Sequence, residues 1–208
     1  MVKPQFRVIT PGTQIGTVSP PKRKPNADVR TREYLTEPEI ERLLKAAKGN
    51  RWGPRDAAMI LIAYRHGLRA AELVDLRWDQ IELGRNAVIH VRRVKNGTPS
   101  THPLQGDEMR ALRALMPDGK RNSPFVFVTE RGAPFTTAGF AKMVARLGAA
   151  AKFKFPVHPH MLRHACGYKL ANDGHDTRSL QAYLGHRNIQ HTCRYSELSP
   201  ARFRDFWR

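Results

Sequence analysis

The apolar residues of this chain change period along its length, and each change marks an element. Thr36-Glu37-Pro38-Glu39 has the form of a capping box, in which the Thr hydroxyl and the Glu39 carboxylate satisfy free amide donors at a helix start. Ile40, Leu43, Leu44 and Ala47 then fall at i, i+3, i+4 and i+7, one face of a helix. A second helix, Pro54 to His66, is apolar throughout Ala57-Ala58-Met59-Ile60-Leu61-Ile62-Ala63 and is expected to be buried. Gly67 is placed to end it in a left-handed conformation, and Arg69 opens a short helix through Leu73. From 87 to 104 the pattern is β: Ala87-Val88-Ile89-His90-Val91, an Asn96-Gly97 turn and a return from Ser100 to Leu104 predict a hairpin. Phe125-Val126-Phe127-Val128 reads as a further short strand. Helical spacing covers about 106–116, 136–150, 159–173, 176–183 and 188–196. Ser199-Pro200 caps a last segment whose aromatics, Phe203, Phe206 and Trp207, either tuck into the core or dock on a neighbour. No internal repeat is present. The predicted fold is mainly α with a small antiparallel β-sheet, an α+β class.

Residues 1–35 break this regularity. Pro4, Pro11, Pro20, Pro21 and Pro25 interrupt them, no period is sustained, and seven basic residues stand against two acidic ones. They are expected to form a flexible basic arm, either a solvated tail or a DNA contact. Residues 36–208 are expected to form the folded domain, with a C-terminal tail from about 199.

Composition narrows the partners. With 208 residues, 40% of them hydrophobic, the chain can build one sizeable core. No apolar run approaches the roughly 18 residues of a membrane span, and Met1-Val2-Lys3-Pro4 begins no signal peptide. Cys166 and Cys193 make no disulfide framework and read as reduced thiols, so a cytoplasmic, nucleoid-associated protein is expected. Thirty-six Lys and Arg against 18 Asp and Glu give +18, and a pI near 10.8 follows. Such an excess attracts phosphate polymers by counterion release. An anionic membrane would call for a basic amphipathic helix or a polybasic run beside an apolar anchor, and neither occurs. Nucleic acid is the expected partner.

Cleaving a phosphodiester needs a nucleophile, positive charge on the phosphoryl oxygens and an acid for the leaving oxygen. Arginine suits the second task, because its planar fork grips two oxygens and stays protonated. Arg69 and Arg163 are the candidates, although any one arginine in so basic a chain is otherwise a surface charge or a backbone contact. His160, Arg163 and His164 share a helix face. The His160/His164 pair at i, i+4 also fits a metal site, with Cys166 and Cys193 as remote further ligands. No Cys-x-x-Cys pair and no acidic residue between the histidines accompanies them. His186 follows a helix break at Leu184-Gly185, and Tyr195 lies nine residues beyond it. The chain holds no P-loop and no carboxylate cluster for two magnesium ions, so neither cofactor nor metal is expected.

These blocks agree in residue type, order and rough spacing with one family. Arg69-Ala70-Ala71-Glu72, Lys95, Pro159-His160-Met161-Leu162-Arg163-His164, Leu184-Gly185-His186 and Thr192-Cys193-Arg194-Tyr195 resemble the catalytic signature of the tyrosine recombinases, the phage-integrase family, over about residues 36–198. The resemblance implies that Tyr195 attacks DNA to leave a 3′-phosphotyrosyl link, while Arg69, Arg163, His160 and His186 bind the phosphate. It implies that Lys95 protonates the leaving 5′ oxygen. On the residues alone Lys95 also reads as a phosphate-binding or solvated turn lysine, with Arg92 and Arg93 beside it. Glu72 resembles the family's acidic brace; its plainer reading is a surface carboxylate paired with Arg69. His164 is given a packing or supporting role. Glu197 stands where many relatives carry histidine. The short arm leaves no room for the separate core-binding domain most members carry, so the chain is similar to the single-domain fimbrial phase-variation invertases. The implied function is site-specific recombination of double-stranded DNA (inversion, integration or excision) by a homo-oligomer, a tetramer around two duplexes. The alternatives are a type IB topoisomerase-like relaxing enzyme and a non-catalytic DNA-binding accessory protein.

Overall fold

A computed structural model describes residues 33–94, 97–116, 119, 123–197 and 203. The expected arm (residues 1–32), Lys95 with Asn96 of the predicted turn, and all of the last segment except Phe203 lie outside the described residues. Phe203 itself is 48% exposed.

Among the described residues the chain forms eight helices and one three-stranded antiparallel sheet. Helix α1 (Glu37–Lys48) starts where the capping box places it. The Thr36 amide donates to Glu39 Oε2 at 2.8 Å, while the Thr36 hydroxyl turns to the same carboxylate at 3.0 Å. Helix α2 (Gly53–Arg65) is the central element, with Ala57, Ala58, Met59, Ile60, Ile62 and Ala63 all buried. Each large apolar side chain so buried contributes about 1.5–3 kcal/mol. Gly67 ends the α2 turn at φ +56, as its position predicts. A Cβ there would also stand 2.5 Å from Leu184 Cδ2, so a side chain would meet both backbone strain and that methyl. Helix α3 (Ala70–Val74) follows with Arg69 at its N-cap.

A 3-10 turn (Trp78–Gln80) leads into β1 (Ile81–Glu82), two elements too short to leave a period in the sequence. The predicted hairpin is β2 (Val88–Val91) and β3 (Ser100–Pro103), in the register Ile89↔His102 and Val91↔Ser100. Strand β1 pairs beside β2, not beside β3. Ile89 and Val91 face the core, and His102 is buried beside them. That histidine is satisfied by neighbours: Nε2 meets Ser100 Oγ at 2.8 Å, Nδ1 meets His66 Nδ1 at 3.1 Å, and its ring stacks on Tyr183.

Residues 125–128 are not a sheet strand. They make only isolated bridges, Arg77↔Phe125 and Val128↔Pro134, while Val126 and Phe127 plug the core. Consecutive apolar residues report burial on both sides and do not by themselves supply a partner strand. The helix expected over 106–116 is α4 (Gly106–Arg113), ending short because Met116 precedes Pro117, a position that disfavours helix. Helices α5 (Thr137–Ala150), α6 (Pro159–Asn172), α7 (Thr177–Leu184) and α8 (Gln190–Glu197) fall within a residue or two of expectation. Thr136 and Asp176 cap α5 and α7 by accepting from backbone amides. Two apolar clusters result, a main core and a smaller one of Cys166, Ala171, Leu180, Leu184 and Tyr195 between α6, α7 and α8. No helix of the described residues is long and apolar enough to cross a membrane.

Candidate active site

Three local devices aim the side chains. The Gly67 turn starts α3 so that Arg69 stands at its first corner. Gly185 closes α7 at φ +65 and delivers His186 directly afterwards. Helix α6 carries His160, Arg163 and His164 along one stripe, and α8 lays Tyr195 against it.

Arg163 is 1% exposed. It donates from Nη1 to Gly67 O and from Nη2 to Leu184 O at 2.7 Å, joining the two glycine turns. Burial, then repulsion from Arg69 and Arg93, pulls its pKa down to about 10, so it stays charged at neutral pH. Arg69 is a quarter exposed and donates from Nη1 to Glu72 Oε1 at 2.7 Å. Glu72 is buried, unlike the surface carboxylate of the plainer reading. It also accepts from the Arg69 amide at 2.9 Å, Arg93 Nη1 at 3.0 Å and the Val94 amide at 3.2 Å. Burial alone would raise its pKa, but these hydrogen bonds and the two guanidinium charges outweigh it and hold the carboxyl below its ordinary range.

Tyr195 is 4% exposed. Its hydroxyl meets His164 Nδ1 at 2.9 Å, its ring stacks on His186 with centroids 6.3 Å apart, and Tyr168 closes the edge at 5.1 Å. Gly167 leaves the ring its room: a Cβ there would lie 2.7 Å from the ring's Cε2 and Cζ. Burial pushes the phenol up to about 12, against the opposing charge of Arg163. His186 bonds Thr192 Oγ1 through Nδ1 at 2.8 Å. Burial and then the Arg163 and Arg69 charges draw its pKa down to about 3. His164 is drawn down to about 4 by burial and by His160, so it is neutral at pH 7. His160 is exposed and meets His164 edge-on at 4.4 Å.

The predicted residues therefore converge in two linked groups. Arg69 and His186 line an open cleft of about 600 Å³, and Arg163, Tyr195, His164 and His160 lie on and behind α6. Lys95 lies outside the described residues. The two cysteines do not join the histidines: Cys166 is buried, with its thiol pushed up to about 12 by burial. Among the described residues no group of three or more His, Cys, Asp or Glu side chains comes together to hold a metal ion. Sequence reasoning missed two things. Arg178, Arg187, Asn188 and His191 also line the cleft, and their only signal was polarity on both sides of Leu184-Gly185-His186. Arg93 is also no solvated hairpin charge, since its side chain is fully buried against Glu72.

A tyrosine beside two imidazoles, with guanidinium charge held close by, is equipment for covalent transfer of an anionic phosphoryl group. Residues 33–202 match the phage integrase family, and the chain belongs to it. It is a tyrosine-type site-specific recombinase. It is 40% identical over 181 residues to the type 1 fimbriae regulatory protein FimE of Escherichia coli K12, an alignment covering 85% of this chain and 91% of FimE. It is 30% identical over 182 residues to tyrosine recombinase XerC of Bacillus licheniformis, covering 84% of this chain and 60% of XerC. The crystal structure of XerA recombinase shares the fold, with a TM-score of 0.70 and 28% identity over 84% of this chain and 63% of that one.

Proposed function

We propose that this recombinase cuts and rejoins double-stranded DNA through a 3′-phosphotyrosyl link at Tyr195. The observation that carries the reading is the Tyr195 hydroxyl, bonded to His164 and stacked on His186 in a chain of this family. The phenolic oxygen attacks phosphorus as its proton passes to a base at the site. The Oη–P bond forms, the P–O5′ bond breaks, and Lys95 gives a proton to the departing 5′ oxygen. Arg69 and Arg163 balance charge on the non-bridging oxygens, and His160 and His186 bind the same phosphate. Arg163 commits two of a guanidinium's five donors to carbonyls, leaving three for phosphate. Rejoining reverses the steps with a 5′ hydroxyl from the partner strand, and the bond energy is kept in the aryl phosphodiester.

The full reaction takes four such sites around two duplexes, so the acting form is a homotetramer on DNA in the cytoplasm. Residues 1–35 serve as a basic arm to a domain of residues 36–208. The test is covalent capture. A pool of nicked duplexes of random sequence is incubated with the protein, and protein-linked DNA is recovered after denaturation and sequenced to find the site. On that selected duplex, Tyr195→Phe forms no adduct while its affinity stays within about threefold, since phosphate contacts dominate binding. An adduct in the variant would make another residue the nucleophile, Tyr183 first.

A further inference from the structure

Arg93 stands between the two turns that shape the cleft. Its Nη1 donates to Glu72 Oε2 at 3.0 Å, while the other oxygen of Glu72 holds Arg69 Nη1 at 2.7 Å. Its Nη2 donates to Tyr183 O, just before the Gly185 turn that delivers His186. The same guanidinium reaches His66 O at 3.3 Å and Gly67 O at 3.4 Å. Arg163 makes the parallel pair of bonds, to Gly67 O and Leu184 O. Two buried guanidiniums thus tie one turn to consecutive carbonyls at the end of α7. The packing is tight: a Cβ on Gly185 would lie 2.7 Å from Arg93 Cγ and 2.8 Å from Nε, and one on Gly97 would lie 2.8 Å from Arg93 Cβ. The terminal nitrogens of Arg93 spend all four of their N–H donors on Glu72 and on the Gly67, His66 and Tyr183 carbonyls, so its fork has none left for a phosphate.

We propose that Arg93 is a positioning residue for the phosphate clamp: through Glu72 it sets the Arg69 guanidinium, and through the Tyr183 carbonyl it holds the turn that presents His186. This rests on the reading of Arg69 as part of that clamp. With Arg93 in place, the buried Glu72 carboxylate shares its charge between two cations, and Arg69 can turn a donor edge toward the cleft. Without it, Arg69 is the remaining guanidinium on Glu72 and is drawn inward, away from a phosphate. Lysine cannot substitute, because one ammonium does not span Glu72 and the Tyr183 carbonyl as a planar fork does.

The test compares two forms of the selected nicked duplex, one with the ordinary scissile phosphate and one with an uncharged methylphosphonate there. Replacing a non-bridging oxygen by methyl removes the charge that the clamp balances. Arg69→Ala and Arg93→Met should each slow adduct formation on the ordinary phosphate by roughly tenfold to a thousandfold. Relative to wild type, each should lose no more than about threefold on the methylphosphonate, because the charge the clamp stabilises is gone. Equal losses for Arg93→Met on both substrates would make Arg93 a purely structural strut and overturn the proposal. If Arg69→Ala also loses equally on both, the clamp reading of Arg69 falls, and the proposal falls with it. Arg93→Lys keeps the charge and most of the volume and covers the case in which Arg93→Met does not fold. It should show an intermediate loss with the same substrate dependence, and wild-type rates on the ordinary phosphate would overturn the proposal.

Discussion

At the scale of single residues, the site is governed by what burial does to groups of ordinary type. A phenol held at a pKa of about 12 is almost wholly neutral at physiological pH, so the proposed attack by Tyr195 needs a phosphate and a proton acceptor together. The neighbouring imidazole of His164 is neutral too, which lets it accept the phenolic hydrogen bond. Room for the ring depends on Gly167. Gly167→Ala places a methyl 2.7 Å from two ring carbons and should displace Tyr195. Overpacking of this kind costs about 1–3 kcal/mol. The expected outcome is a fall in adduct formation on the order of tenfold or more, with DNA affinity nearly unchanged. Wild-type cleavage by this variant would mean that the ring position seen here is not the reacting one.

At the scale of elements, the β2–β3 hairpin is fastened at both ends by buried polar side chains. Arg93 follows β2 and locks onto Glu72, and His102 in β3 reaches His66 at the end of α2. Lys95, the proposed acid, follows Arg93 by two residues in the chain, and sulfur substitution tests that role. A thiolate leaves without protonation, whereas an alkoxide does not. Lys95→Ala should therefore cleave ordinary DNA slowly, by roughly a hundredfold, and recover most of its rate when the scissile 5′ bridging oxygen is sulfur. Arg163→Ala should not recover, because the role proposed for its charge is on the non-bridging oxygens, which the sulfur leaves untouched. Equal recovery of both variants would remove Lys95 as the acid.

At the scale of the whole molecule, two bulk behaviours follow. His102, His164 and His186 are drawn to about 3, 4 and 3, by burial first in each case. In the unfolded chain they titrate near 6.5, so between those values the unfolded state binds more protons. Stability is therefore fully present above about pH 6.5 and is lost as pH falls toward the folded values. Thermal unfolding followed by circular dichroism should give a Tm at pH 5.5 lower than at pH 7.5, on the order of 5 °C or more. An unchanged Tm would mean that these histidines protonate in the folded state. The +18 charge sets the second behaviour. With roughly 6–10 phosphate contacts, affinity should fall on the order of a thousandfold between about 50 and 200 mM salt. Removing residues 1–30 should flatten that slope if the arm touches DNA. An identical slope would leave the arm without a part in binding.

The sequence alone determined the helices and the hairpin and supplied the candidates for the proposed reacting groups, because helical period, turn residues and residue chemistry are local properties. Thr36 at the start of α1, Gly67 after α2 and Gly185 after α7 act where their neighbours in the chain require them. Only the tertiary structure decided which charges are buried. Arg92 and Arg93 are adjacent and chemically identical, yet Arg92 reaches the exposed Asp79 while Arg93 lies in the interior against Glu72. It likewise decided that Val126 and Phe127 fill the core without joining the sheet, and that His164 meets the hydroxyl of Tyr195. Burial depends on segments far apart in sequence arriving at one place, and no local pattern encodes that arrival.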